Sequence, residues 1–200
     1  LRPNVMSLQY SRVFVSIKLT TAVLNYVKDV MHSLQMEFRD GVRWIRPETA
    51  HVTVQFIGEI SEIGLRDVIA KIGSLTPNLS PFTLLLKSPE VAPTLKRPRF
   101  IWIPLIGKLK EMQNLSFEVR SAVGNCGIVL DDKEVFPHIT LGRISQPQYF
   151  NDYRSVEKKL EQYVIPTMIQ LKVSEIAVVQ SILTPSGPKY VDRKKYSLDV

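Results

Sequence analysis

The chain has 200 residues, 44% hydrophobic and 22% charged, an ordinary globular composition with enough length for a real core. Its net charge of +7 favours an anionic partner such as nucleic acid or a nucleotide. One cysteine, Cys126, excludes a disulfide framework and fits a reducing cytoplasm, and no apolar run nears the roughly 20 residues that span a bilayer.

Leu1 to Val5 shows no signal-peptide layout. From near Arg12, Val13-Phe14-Val15-Ser16-Ile17-Lys18-Leu19 alternates as a strand should. Thr20-Thr21 can cap a helix with apolar positions Val23, Leu24, Val27, Val30, Met31 and Leu34, which leaves His32 at its surface. Val42-Arg43-Trp44-Ile45 reads as a strand, and Arg46-Pro47-Glu48 turns the chain into another that carries His51-Val52-Thr53-Val54. A helix over 63–75 and a strand over Phe82-Thr83-Leu84-Leu85-Leu86 follow. The proline-bearing, basic stretch from Ser88 to Arg99 is expected to be an exposed joining loop.

The same order then returns. Phe100-Ile101-Trp102-Ile103-Pro104-Leu105 matches the first strand, a helix is expected from about Lys108 to Gly124, and Ile128-Val129-Leu130 reads as a strand. A Pro-led strand carries His138-Ile139-Thr140-Leu141. A helix near 153–163 and strands over 168–173 and 175–179 complete the pattern, and Asp192-Arg193-Lys194-Lys195 reads as a solvated turn. Cys126 is expected to be a buried, inert thiol.

The intervals support a duplication. Phe14 and His51 are 37 residues apart, Phe100 and His138 are 38 apart, and elements recur at an offset of 86 to 87. The expected fold class is α+β: a duplicated, two-lobed single domain over 1–200, with repeats near 12–92 and 98–200. Two antiparallel sheets would flank a central cleft, with helices outside and a pseudo-two-fold axis between.

In each motif His and Thr stand at i and i+2, so a strand puts them on one face and turns Val52/Val54 or Ile139/Leu141 into a core. Two imidazoles titrating near ~6.5 can be one neutral and one protonated, the pairing that concerted acid–base chemistry needs. Two threonine hydroxyls on the same face can donate to phosphate oxygens as charge builds there. A zinc site would want a third ligand, and no His-x-His, His-Glu-x-x-His or Cys-x-x-Cys occurs, so no metal or cofactor is expected. Phe14 and Phe100 are assigned to the core, with the cleft as the alternative. Tyr190 is a further candidate for stacking on a base.

With these motifs the chain resembles the two-histidine phosphoesterase superfamily, and more closely its RNA 2′,3′-cyclic phosphodiesterases, also called 2′-5′ RNA ligases. The likeness includes Val42-Arg43-Trp44-Ile45-Arg46-Pro47-Glu48, His51 through Glu59, Phe136-Pro137-His138-Ile139-Thr140-Leu141-Gly142-Arg143, and Ser181 through Tyr190. The resemblance implies metal-independent hydrolysis of RNA 2′,3′-cyclic phosphate ends to 2′-phosphates. His51 would be the proton donor and His138 the proton acceptor, with Thr53, Thr140 and Arg143 binding the phosphate. Alternatives are 2′-5′ ligase or phosphodiesterase activity at the same site, or a non-catalytic RNA-end binding module. A monomeric, cytoplasmic protein is expected. Strict alternation puts Arg143 on the face opposite His138 unless the strand ends or bulges at Gly142. Gln55 stands where the family commonly has Lys. The 88–98 stretch lacks the usual glycines, and Lys133-Glu134-Val135 falls where an Arg is common. These departures bear on substrate preference.

Overall fold

The computed structural model describes residues 10–38, 40–130, 136–150, 152–163, 169–185 and 187–198. Among these residues there are ten strands and four α-helices. The first half holds β1 (Tyr10–Lys18), α1 (Thr21–Glu37), β2 (Val42–Trp44), β3 (His51–Ser61), α2 (Glu62–Leu75) and β4 (Phe82–Leu86). Then come β5 (Glu90–Thr94), β6 (Arg97–Gly107), α3 (Leu109–Gly124), β7 (His138–Ile144), α4 (Tyr153–Glu161), β8 (Gln170–Val173), β9 (Glu175–Thr184) and β10 (Gly187–Ser197). The helix starts follow their caps: Thr20 Oγ1 accepts from Val23 N, and Ser61 Oγ from Gly64 N.

The strands pair antiparallel in the order β10-β9-β1-β3-β7-β6-β4-β8, with β2 added to β7 and β5 to β6. The two expected sheets are thus two halves of one sheet, pinched where β3 meets β7 through the single ladder pair Val52–Ile139. Each half borrows from the other end of the chain. β9 and β10 extend β1, while β4 lies between β6 and β8.

The two faces of the sheet differ in chemistry. Val13, Val15, Ile17, Val52, Val54, Ile103, Ile139 and Leu141 join the apolar sides of all four helices in one core. Each fully buried Val, Ile or Leu there contributes about 1.5–3 kcal/mol. The other face carries the residues that alternate with these, including the histidines. Phe14 belongs to that face: it is buried with Ala177, Val179 and Tyr190 in a small separate cluster, not in the main core. Its neighbours Val13 and Val15 take the core side, so alternation leaves Phe14 no other place.

Three further expectations change. The stretch from Ser88 to Arg99 is largely a β-hairpin, because Val91 and Ala92 bury against Ile101 and Phe100, and β5 is an edge strand that tolerates Pro93. Ile128-Val129-Leu130 forms no strand. Ile128 and Leu130 pack on the core while Val129 is exposed, a burial that needs no hydrogen-bonded neighbour. The 192–195 charges are not a turn but part of β10. Asp192 pairs with Lys18, Arg193 with Glu62 (2.5 Å), and Lys195 with Glu175 (3.8 Å). Charges of this kind guard a sheet edge against further pairing. Met168 and 133–135 lie outside the described residues. Cys126 is half-buried against the core rather than fully buried, and burial raises its thiol pKa. His32 is exposed on α1.

Candidate active site

The pinch point places the two motifs. Because Val52 opposes Ile139 in antiparallel register, His51 comes abreast of Thr140 and Thr53 abreast of His138. Val52 and Ile139 point into the core with no exposed surface, so both histidines and both threonines occupy the opposite face. A pseudo-two-fold axis runs between them. Thr53 is buried and Thr140 half-buried, and neither hydroxyl has a hydrogen-bond partner among the described residues.

Each imidazole is fixed in the same way. His51 Nδ1 lies 2.8 Å from the Thr49 carbonyl oxygen, and His138 Nδ1 lies 2.6 Å from that of Phe136. A carbonyl only accepts, so each Nδ1 carries hydrogen and each Nε2 is left to exchange a proton with a ligand. Aromatic walls set the ring planes. Phe14 and Tyr190 lie 4.9 and 5.3 Å from the His51 ring, and Trp102 lies 4.2 Å from the His138 ring. Glu90 Oε1 accepts from Trp102 Nε1 at 3.0 Å and holds that indole in place. In the sequence Trp102 stood out only through the family likeness of Arg97 to Trp102 and its alternation with Phe100, and the two carbonyls had no signal beyond standing two residues before each histidine.

Burial lowers both imidazole pKa values below 6.5, opposed in each case by the carbonyl hydrogen bond. His51 is lowered further by the nearby charge of His138, so the two protons interact. A cycle that needs one neutral and one charged ring therefore has its maximum on the acid side of 6.5. Above both pKa values the required imidazolium is lost as pH rises. We expect kcat/KM to fall steadily between pH 6.5 and 8. A rate that climbs across that interval would contradict this electrostatic picture.

Arg143 reaches the cleft face through a bulge. In the β6–β7 ladder Trp102 opposes Thr140 and Ile101 opposes Gly142, which leaves Leu141 unpaired and reverses the alternation. Arg143 then opposes Phe100, with its guanidinium carbon 5.3 Å from that ring centroid. β3 bulges at the equivalent Val54, with Phe56 opposing Phe14. Phe56 therefore stands where the second half has Arg143. Phe100 is half-buried beneath Arg143 rather than in the core. Gln55 opposes Val15 on the core-side face, buried, its amide donating to the Phe56 carbonyl at 2.8 Å. Its replacement of a Lys therefore lies away from the cleft. Lys18, abreast of His51, is committed to Asp192.

Among the described residues, no three His, Cys, Asp or Glu side chains are grouped to hold a metal ion, and no helix is long and apolar enough to cross a membrane. Two strand-borne histidines facing one cleft, each beside the other's threonine, define a two-histidine phosphoesterase. The "LigT like Phosphoesterase" family model matches residues 24–102. The RNA 2′,3′-cyclic phosphodiesterase of Aquifex aeolicus is 30% identical over 157 residues, 78% of this chain and 81% of that protein. The RNA 2′,3′-cyclic phosphodiesterase of Archaeoglobus fulgidus is 26% identical over 187 residues, 92% of this chain and 99% of that protein. The crystal structure of TT0787 of Thermus thermophilus superposes with a TM-score of 0.74 at 25% identity, covering 94% of this chain and 97% of that one. The chain belongs to the LigT-like phosphoesterases, the family of these RNA 2′,3′-cyclic phosphodiesterases.

Proposed function

We propose that the protein hydrolyses RNA 2′,3′-cyclic phosphate ends to 2′-phosphates without a metal or cofactor. The observation that carries this is the antiparallel crossing of the two His-x-Thr strands at Val52–Ile139. His138 Nε2 takes a proton from water as the water oxygen bonds to phosphorus. The bond from phosphorus to O3′ breaks on the opposite side, and His51 Nε2 gives O3′ its proton. Thr53 and Thr140 donate to the non-bridging oxygens, and Arg143 adds positive charge. The product carries a 2′-phosphate and a free 3′-hydroxyl.

The distribution of cations favours this choice of acid and base. β2 and β3 run in succession along the same edge of β7: Arg43 opposes Arg143, Ile45 N donates to Leu141 O at 3.0 Å, and Val52 opposes Ile139. The arginines therefore flank the His51 end, where Arg46 also donates to the Pro188 carbonyl at 3.1 Å. An RNA body held there puts the ribose, and with it O3′, beside His51. Water then attacks from the His138 side. Burial and the charge of His138 lower the His51 pKa in the free cleft, and a bound phosphate anion would balance the imidazolium charge.

In this proposal residues 1–200 act as one monomeric, cytoplasmic unit. The test is to incubate an oligoribonucleotide ending in a 2′,3′-cyclic phosphate with EDTA present and identify the product. A 2′-phosphate is expected. A 3′-phosphate, or loss of activity to the chelator, overturns the reading.

A further inference from the structure

Beyond the phosphate at the histidines, the cleft carries a second charged feature. Arg43 on β2 lies directly opposite Arg143 on β7. The face it occupies follows from its neighbours. Val42 and Trp44 pack on the core, and a Cβ added to Gly142 would meet Val42 Cγ1 at 2.6 Å and Trp44 Cε3 at 3.1 Å. Those two side chains close over Gly142 on the core side, so the intervening Arg43 projects to the cleft side with Arg143. Both arginines are exposed, and neither has a carboxylate partner among the described residues.

Like charges directly across a strand pair destabilise a sheet. Elsewhere on this face the opposition is of unlike charges: Arg12 faces Glu59 across β1–β3, and Lys18 is paired with Asp192. Arg143 is further held in place over Phe100. An unneutralised arginine pair beside a phosphoesterase cleft calls for an anion. Its position says which one. Phe100 and Pro104, the β6 partners of Arg143 and His138, are four residues apart. That is about 13 Å of strand between the His138 level and the arginine level, room for a second phosphate beside the one at the histidines. Arg143, on the strand that carries His138 and Thr140, is assigned above to the phosphate at the histidines, which leaves Arg43, on the separate strand β2, for the next one.

We propose that Arg43 binds the internucleotide phosphodiester immediately upstream of the cyclic phosphate, so that the enzyme reads an RNA end rather than a lone nucleotide. This rests on the function proposed above. At two adjacent phosphates the paired guanidiniums each gain a counter-charge, and their mutual repulsion is relieved. Placing the chain on this side also keeps the ribose at the His51 end.

The test compares wild type and Arg43→Ala on three substrates: a dinucleotide with a 2′,3′-cyclic end, the same dinucleotide with a neutral methylphosphonate linkage, and a nucleoside 2′,3′-cyclic phosphate. The variant should lose about tenfold in kcat/KM on the natural dinucleotide, mostly through KM. On the other two its loss should be threefold or less. The slope of log kcat/KM against log salt should flatten by about 0.7 on the dinucleotide alone, the value for one single-strand phosphate contact. Arg43→Lys should recover part of the loss. Equal losses on all three substrates, or no loss on any, overturn the proposal. Titration of both proteins with the unreactive dinucleotide 2′-phosphate, with and without the methylphosphonate, separates the two levels. If wild type turns over no cyclic phosphate, the function fails, yet a methylphosphonate-sensitive affinity loss in Arg43→Ala still supports the phosphodiester contact. Equal affinities refute it.

Discussion

His51→Ala and His138→Ala are each expected to reduce kcat by roughly 10²–10⁴ while the protein stays folded, the range for losing a positioned acid or base. The two variants separate when the leaving group changes. With sulfur in place of the bridging 3′ oxygen, the departing thiolate needs little protonation. His51→Ala should then recover most of its loss, while His138→Ala, short of its base, should not. Recovery by His138→Ala alone would exchange the roles, and full activity of either variant on the oxygen substrate would end the two-histidine mechanism. Neither substitution opens the main core, because both rings lie on the opposite face, against Phe14 and Tyr190 or against Trp102. Thermal unfolding should therefore move little, which ties the rate loss to chemistry.

Thr53→Val and Thr140→Val should each lower kcat by about 10²–10³, the cost of removing one hydrogen-bond donor aimed at charge that grows in the transition state. Valine keeps the β-branched shape that suits a strand, so the hydroxyl is the main thing lost. Thr53 is the more buried of the two, and a substrate oxygen there has little water to replace the missing donor. Its loss should be the larger. Measuring kcat and KM separately checks this: a rise in KM at constant kcat would assign the threonines to ground-state binding alone. Thr→Ser at either position should restore much of the rate. Valine variants at wild-type rate would remove the threonines from the reaction.

Much of this was legible in the chain because it rests on short-range rules. Alternation in Val13–Leu19 and in both His-x-Thr stretches fixed which residues share a face, and Thr20 marked where α1 begins. Where local rules failed, a neighbour distant in sequence decided. The hairpin of β5 and β6 hid behind prolines that normally mark loops, and the 192–195 charges joined a strand because β9 offered a free edge. Phe14 had the composition of a core residue. Its face was set by Val13 and Val15, and its partners, His51 and Tyr190, come from β3 and β10.

The sequence by itself singled out the two histidines, the two threonines and their matching positions, because period-two alternation and an offset of 86 to 87 residues are properties of the chain alone. Only the tertiary structure decided how they meet. One ladder pair, Val52–Ile139, sets each histidine beside the other motif's threonine. The bulge at Leu141 brings Arg143 to their face, and β2 carries Arg43 up against it. Strand register and bulges depend on which edge a strand finds, and that is settled only when the whole sheet assembles.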